Sequence, residues 1–168
     1  MKMKDDSRNI YAQEDLDFEG PGAFLAGPTP RSTNVKSWRP HMIQILRNSG
    51  YQGKIVIPEM RDSKNWNPEN GFTYDKQILW EDKAMTDADI IIFWIPRDMI
   101  DMPALTTNTE FGYWYAKQPE KLIIGIPDDA EKCDYIRFKA KEKCIFTNKI
   151  TQIGKILRKE FKNLEDIK

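Results

Sequence analysis

The chain has 168 residues, with 26 lysines and arginines balancing 26 aspartates and glutamates. That length suits one domain able to bury roughly two-thirds of its unfolded surface, and the even charge removes any global pull toward polymeric nucleic acid or acidic lipid. No apolar run approaches the ~18 residues of a membrane span, and two cysteines with one histidine give little support to a disulfide scaffold, a His-based metal site or a Ser/His triad.

Residues 1–6 lack the apolar stretch of a signal peptide, so a soluble cytoplasmic protein is expected. Residues 1–20 read as a polar N-terminal extension, with an edge-strand candidate at 9–13. Residues 21–168 read as a single α/β domain. Its first buried strand is Ala23-Phe24-Leu25-Ala26, stopped by Gly27-Pro28. Ser37 is placed to N-cap a helix with Pro40 in its first turn, an apolar stripe of Met42, Ile45 and Leu46, and Gly50 just past its end.

A second core strand follows at 54–58, then a long Asn/Pro/Gly-rich loop at 59–71 with Trp66 in its middle, a length that suits a substrate-facing loop. The pattern continues as a helix over 72–88, a strand over 89–95, a helix over 107–117 and a strand over 121–127. A short strand at 144–147 and an amphipathic helix from Ile150 to Phe161 complete it. Strands alternating with helices imply a flavodoxin-like or Rossmann-like three-layer sandwich around a mostly parallel sheet. Its ligand crevice lies at the carboxyl ends of the strands, where the loops 27–36, 58–71 and 96–107 converge.

Two glutamates stand out in this frame. Glu110 falls in the first turn of the 107–117 helix, where the positive end of the helix dipole would keep it ionised and available as a nucleophile. Equally, Thr107-x-x-Glu110 reads as a capping box with no chemistry. Glu81 shares a helical face with Ile78, Met85 and Ala88, and an acid there costs several kcal/mol unless paired, hydrogen-bonded or wet. Either it reaches solvent or a partner such as Lys83 or Arg97, or it is part-buried at a cleft with a raised pKa and a transferable proton. One ionised and one proton-carrying carboxylate is the arrangement that retaining glycosyl transfer needs.

Ala23-Phe24-Leu25-Ala26-Gly27-Pro28 resembles the first strand and loop of the nucleoside 2-deoxyribosyltransferases. The series Glu81, Asp89-Ile90-Ile91-Ile92-Phe93 and Asn108-Thr109-Glu110-Phe111-Gly112 is similar to that family's acid, strand and Glu-x-Gly segment. Thr29-Pro30-Arg31, Ser37-Trp38-Arg39-Pro40 and Phe93-Trp94-Ile95-Pro96-Arg97 bring the match closest to the nucleoside 2-deoxyribosyltransferase-like branch, over residues from about 9 to 140.

This resemblance implies an enzyme that moves 2-deoxyribose between nucleobases through a deoxyribosyl ester on Glu110. Glu81 stands where the family has an aspartate that handles the base's proton. The family's sugar-binding carboxylate has no clear counterpart; Asp98, Asp101 or Asn108 could serve. Asp89, heading the strand, is carried over as a substrate contact. No metal or organic cofactor is implied. The partners are a nucleoside or nucleotide and a free nucleobase, with assembly to at least a dimer. Gly27, Pro28 and Thr29 would let backbone approach the substrate, Arg31 or Arg39 could hold a 5′-phosphate, and Trp66 is the favoured stacking residue. The alternatives are an N-glycoside hydrolase acting on deoxynucleosides or their 5′-monophosphates, and a nucleotide-binding module without turnover.

Overall fold

The computed structural model describes residues 7–62, 71 and 73–165, with side chains described as far as residue 162. A six-stranded sheet, parallel in every strand pairing, carries helices on both faces. In chain order the elements are β1 (Asn9–Tyr11), β2 (Gly22–Ala26), α1 (Arg39–Asn48), β3 (Lys54–Ile57), α2 (Tyr74–Asp87), β4 (Ile90–Trp94), α3 (Leu105–Lys117), β5 (Leu122–Gly125), α4 (Asp134–Lys143), β6 (Ile145–Thr147) and α5 (Ile150–Glu165).

The strands lie in the order β1-β3-β2-β4-β5-β6. Without the edge strand β1, this is the flavodoxin-like arrangement, and the chain reverses its direction of travel across the sheet at β2. From β2 it moves outward to β3, then crosses to β4 on the other side. The chain therefore leaves β2 for α1 on one face and β4 for α3 on the other, and the crevice between these two connections opens above the carboxyl ends of β2 and β4.

Alternation along the strands divides the core. Phe24, Ala26, Val56, Ile91, Phe93 and Ile124 face α2, α3 and α4. Leu25, Ile55, Ile57, Ile92 and Ile123 face α1 and α5, meeting Met42, Leu46, Ile153 and Leu157. Both faces are covered, which is why the strands read as unbroken apolar runs rather than alternating ones.

Several local expectations are corrected. Helix α1 starts at Arg39 behind Trp38, and Ser37 is one residue too early to cap it. The Ser37 hydroxyl still accepts from the Arg39 amide (3.2 Å) while donating to Glu59 (2.7 Å). Helix α3 begins at Leu105, ahead of the expected 107, from a left-handed Ala104 (φ 56°) with no side-chain cap. Helix α4 was not expected at all: only Ile136 and Ala140 are buried along it, so its apolar stripe is thin.

Candidate active site

A cleft of about 300 Å³ opens at the switch point. The loop after β2 supplies Gly27, Pro28, Thr29 and Arg31; the end of β3 supplies Pro58. Helix α2 supplies Tyr74, Gln77, Ile78 and Glu81, and the start of α3 supplies Thr106, Thr107 and Glu110. Glu81 and Glu110 are thus brought together from two helices, α2 and α3, that share one face of the sheet.

Glu81 owes its position to a stripe shifted from the expected one. Gln77, Ala84, Met85 and Ala88 are buried, whereas Ile78 is 45% exposed and faces the cleft mouth. Gln77, one turn before Glu81, is itself buried and donates its amide N–H to Glu81 Oε1 (2.7 Å). The two expected ion-pair partners are engaged elsewhere. Lys83 pairs with Asp87, and Arg97 donates to the carbonyl of Lys132 and to Asn108. Burial raises the Glu81 pKa above its ordinary 4.5, opposed by the Gln77 hydrogen bond and the charge of Arg39.

Glu110 differs from expectation in both position and ionisation. Because α3 starts at Leu105, Glu110 lies in its second turn, and the capping box does not form. A carboxylate that far along gains little from the helix dipole, which fades after the first turn. Burial and then the neighbouring Glu81 push its pKa up to about 7. Near neutral pH Glu110 is therefore partly protonated, not fixed as an anion.

The base of the cleft is held by Arg39, a candidate for a 5′-phosphate or for pairing with an acid, and it is the acid that it meets. It is 1% exposed. Its guanidinium donates to the carbonyls of Leu25 (3.2 Å) and Gly27 (2.7 Å), to the Thr29 hydroxyl (3.0 Å) and to Glu59 (2.6 Å). The signal was present in the spacing: residues 39, 42, 43 and 46 form one helical face, so Arg39 starts the buried stripe. Gly27, at φ 138°, completes the turn. A Cβ there would sit 2.1 Å from the Trp94 carbonyl oxygen and 2.9 Å from the Trp38 ring, so only glycine lets the backbone pass. Trp38 Nε1 then donates to the Pro28 carbonyl (2.9 Å).

The remaining expected site residues divide. Arg31 lines the cleft, its backbone amide tied to the Asp101 carbonyl (2.9 Å). Asp89 does not belong to the cleft: it lies at the amino end of β4, the far end of the sheet, and accepts from the Gly22 amide (2.9 Å). Asn108 is likewise turned away, its side chain bonded to Arg97. Asp98 accepts the amides of Ile100 and Asp101, Asp101 accepts from the Ser32 hydroxyl, and neither lines the cleft. Trp66 lies outside the described residues; Trp38, Trp94 and Trp114 are core. Among the described residues no group of three or more His, Cys, Asp or Glu side chains could hold a metal ion, and no helix is long and apolar enough to cross a membrane.

An open parallel α/β sheet thus brings two carboxyl groups with raised proton affinity to the switch-point cleft, the place where such sheets bind their ligands. The family model described as nucleoside 2-deoxyribosyltransferase like matches residues 21–130, well over half of the chain, and the chain belongs to that family. Comparison with curated proteins finds no match.

Proposed function

We propose that this protein transfers 2-deoxyribose between nucleobases by double displacement on Glu110, with Glu81 as the proton carrier. The observation that carries the reading is the meeting of the two carboxylates in one cleft, each with its proton affinity raised by burial. A carboxylate oxygen of Glu110 attacks C1′ of the deoxynucleoside. The C1′–N bond breaks, its electrons pass to the base nitrogen, and the Glu81 proton goes to the departing base. An acceptor base then attacks C1′, the ester bond returns its electrons to Glu110, and the acceptor's N–H proton passes to Glu81. Positive charge growing at C1′ favours the anionic form of Glu110 as the barrier is climbed, which offsets the raised proton affinity that burial gives it.

A second reading keeps the same first step and lets water take the sugar. One observation favours a 5′-monophosphate as its substrate. Arg39 is engaged by protein oxygens, whereas Arg31 lines the cleft and its exposed side chain makes no hydrogen bond or ion pair among the described residues. A cation left available beside a nucleoside cleft suits an anionic 5′ group. The same cleft without turnover would serve a binding module.

The test is incubation of the purified protein with 2′-deoxynucleosides and their 5′-monophosphates, with and without a second free base, followed by chromatography. Transfer yields a new nucleoside that is absent with Glu110→Ala. Free base without exchange would replace transfer by hydrolysis. No turnover on any substrate, with binding retained by Glu110→Gln, would leave a binding module.

A further inference from the structure

Tyr74 has no structural explanation within the fold. It opens α2, is 66% exposed, and among the described residues its ring makes no aromatic or cation contact and its hydroxyl no hydrogen bond. Other exposed aromatics sit elsewhere: Tyr113 packs against Trp114 and Lys117, Phe138 against Lys139, and Tyr135 also lies away from the cleft. Tyr74 lines the cleft, together with the 45% exposed Ile78 and the 61% exposed Leu105.

The helix sets these groups in a row. Residues 74, 78 and 81 follow spacings of four and three, which place them on one face, with about 10 Å of axial rise from Tyr74 to Glu81. That face presents a carboxyl at its inner end and an uncommitted aromatic ring at its outer end, separated by an aliphatic side chain. A planar heteroaromatic ring laid along it would meet a proton donor with one edge and apolar surface with its face. A sugar or a phosphate alone would leave the Tyr74 ring and Ile78 wet.

We infer that Tyr74 is the base-stacking residue of this cleft and that the ligand it recognises is a free or glycosylated nucleobase, held between the α2 face and the Leu105 rim. This rests on the nucleobase reading above but not on turnover, since stacking needs only the ring. The faces of all bases are alike to an aromatic ring, so Tyr74 contributes affinity across purines and pyrimidines, while edge contacts near Glu81 choose among them.

Calorimetric titration of the wild-type protein with adenine, hypoxanthine, cytosine and thymine tests this without requiring catalysis. Tyr74→Phe is expected to bind as the parent does, and Tyr74→Ala about tenfold to a hundredfold more weakly for every base that binds, the range typical of lost base–aromatic stacking. Tyr74→Leu, which keeps apolar area but no ring, falls between them. Equal affinity in Tyr74→Ala and the parent overturns the assignment, as does a change of oligomeric mass in Tyr74→Ala with base affinity intact, which would make Tyr74 an interface residue. Base binding that depends on Tyr74 in a protein with no turnover would uphold the stacking role and remove the transferase reading.

Discussion

Glu81 on α2 raises the proton affinity of Glu110 on α3, the two helices lining one cleft on the same face of the sheet. Neither glutamate has a described basic partner of its own. Arg39, whose charge acts on both, is engaged by Glu59, two carbonyls and a hydroxyl. The proton on Glu110 is therefore held first by burial and then by the charge of Glu81 beside it.

Stability should report that raised proton affinity. Between its ordinary 4.5 and its raised value of about 7, folded Glu110 holds a proton that the unfolded chain has released, so this group's contribution to stability falls as pH rises through that window. Above it the penalty amounts to up to about 3 kcal/mol. Glu110→Gln is expected to be more stable than the parent at pH 8 and nearly equal to it at pH 4, measured as urea midpoints.

Catalysis should report it as well. Glu81→Gln removes the negative charge that helps to hold the Glu110 proton, so the rising limb of kcat/KM against pH moves to lower pH. The same change removes the proton for the departing base, lowering kcat/KM by about 10²- to 10⁴-fold. A pH–rate profile checks both effects; a lowered rate with an unmoved limb would give Glu81 a role separate from Glu110.

Arg39→Met is expected to be severe. It leaves Glu59 without its partner and strips the Leu25 and Gly27 carbonyls of their donor, a loss of about 3–5 kcal/mol by the measure of broken buried ion pairs. Chemical denaturation of Arg39→Met against the parent measures it, and a loss under 1 kcal/mol would mean that water replaces the guanidinium.

Gly112 follows Glu110 by two residues inside α3, and a Cβ there meets nothing within 4 Å. Gly112→Ala is expected to stabilise the monomeric fold by about 0.5–1 kcal/mol through helix propensity alone. Destabilisation accompanied by a lower assembly mass in sedimentation would show that a second copy covers this face.

The sheet was legible because double burial leaves a plain mark: Ile90–Trp94 and Lys54–Ile57 are short, apolar and bounded by turn residues. Glu81 was legible as an acid on an apolar stripe, although the stripe runs through Gln77 and Ala84 rather than Ile78. The start of α3 was not, because Ala104 enters the helix through a left-handed turn that no capping preference announces. That shift of two residues moved Glu110 from the first turn to the second, and with it the expected ionisation. Asp89 and Asn108 show the limit of matching a motif by order alone: both stand where the pattern puts them, but one serves the opposite end of the sheet and the other a neighbouring arginine. Tyr74 needed the third dimension, whereas the burial of Arg39 was written in its place at the head of the helical face 39, 42, 43 and 46.

The central claim is a covalent deoxyribosyl ester on Glu110. Acid quenching of the protein during turnover with a 2′-deoxynucleoside, followed by intact-mass and peptide mass spectrometry, tests it most directly. The account predicts a fraction of protein heavier by one deoxyribosyl group, localised to the peptide containing Glu110 and discharged by adding a second base. Steady turnover that leaves Glu110 unmodified at every quench time, and that persists in Glu110→Ala, would contradict it.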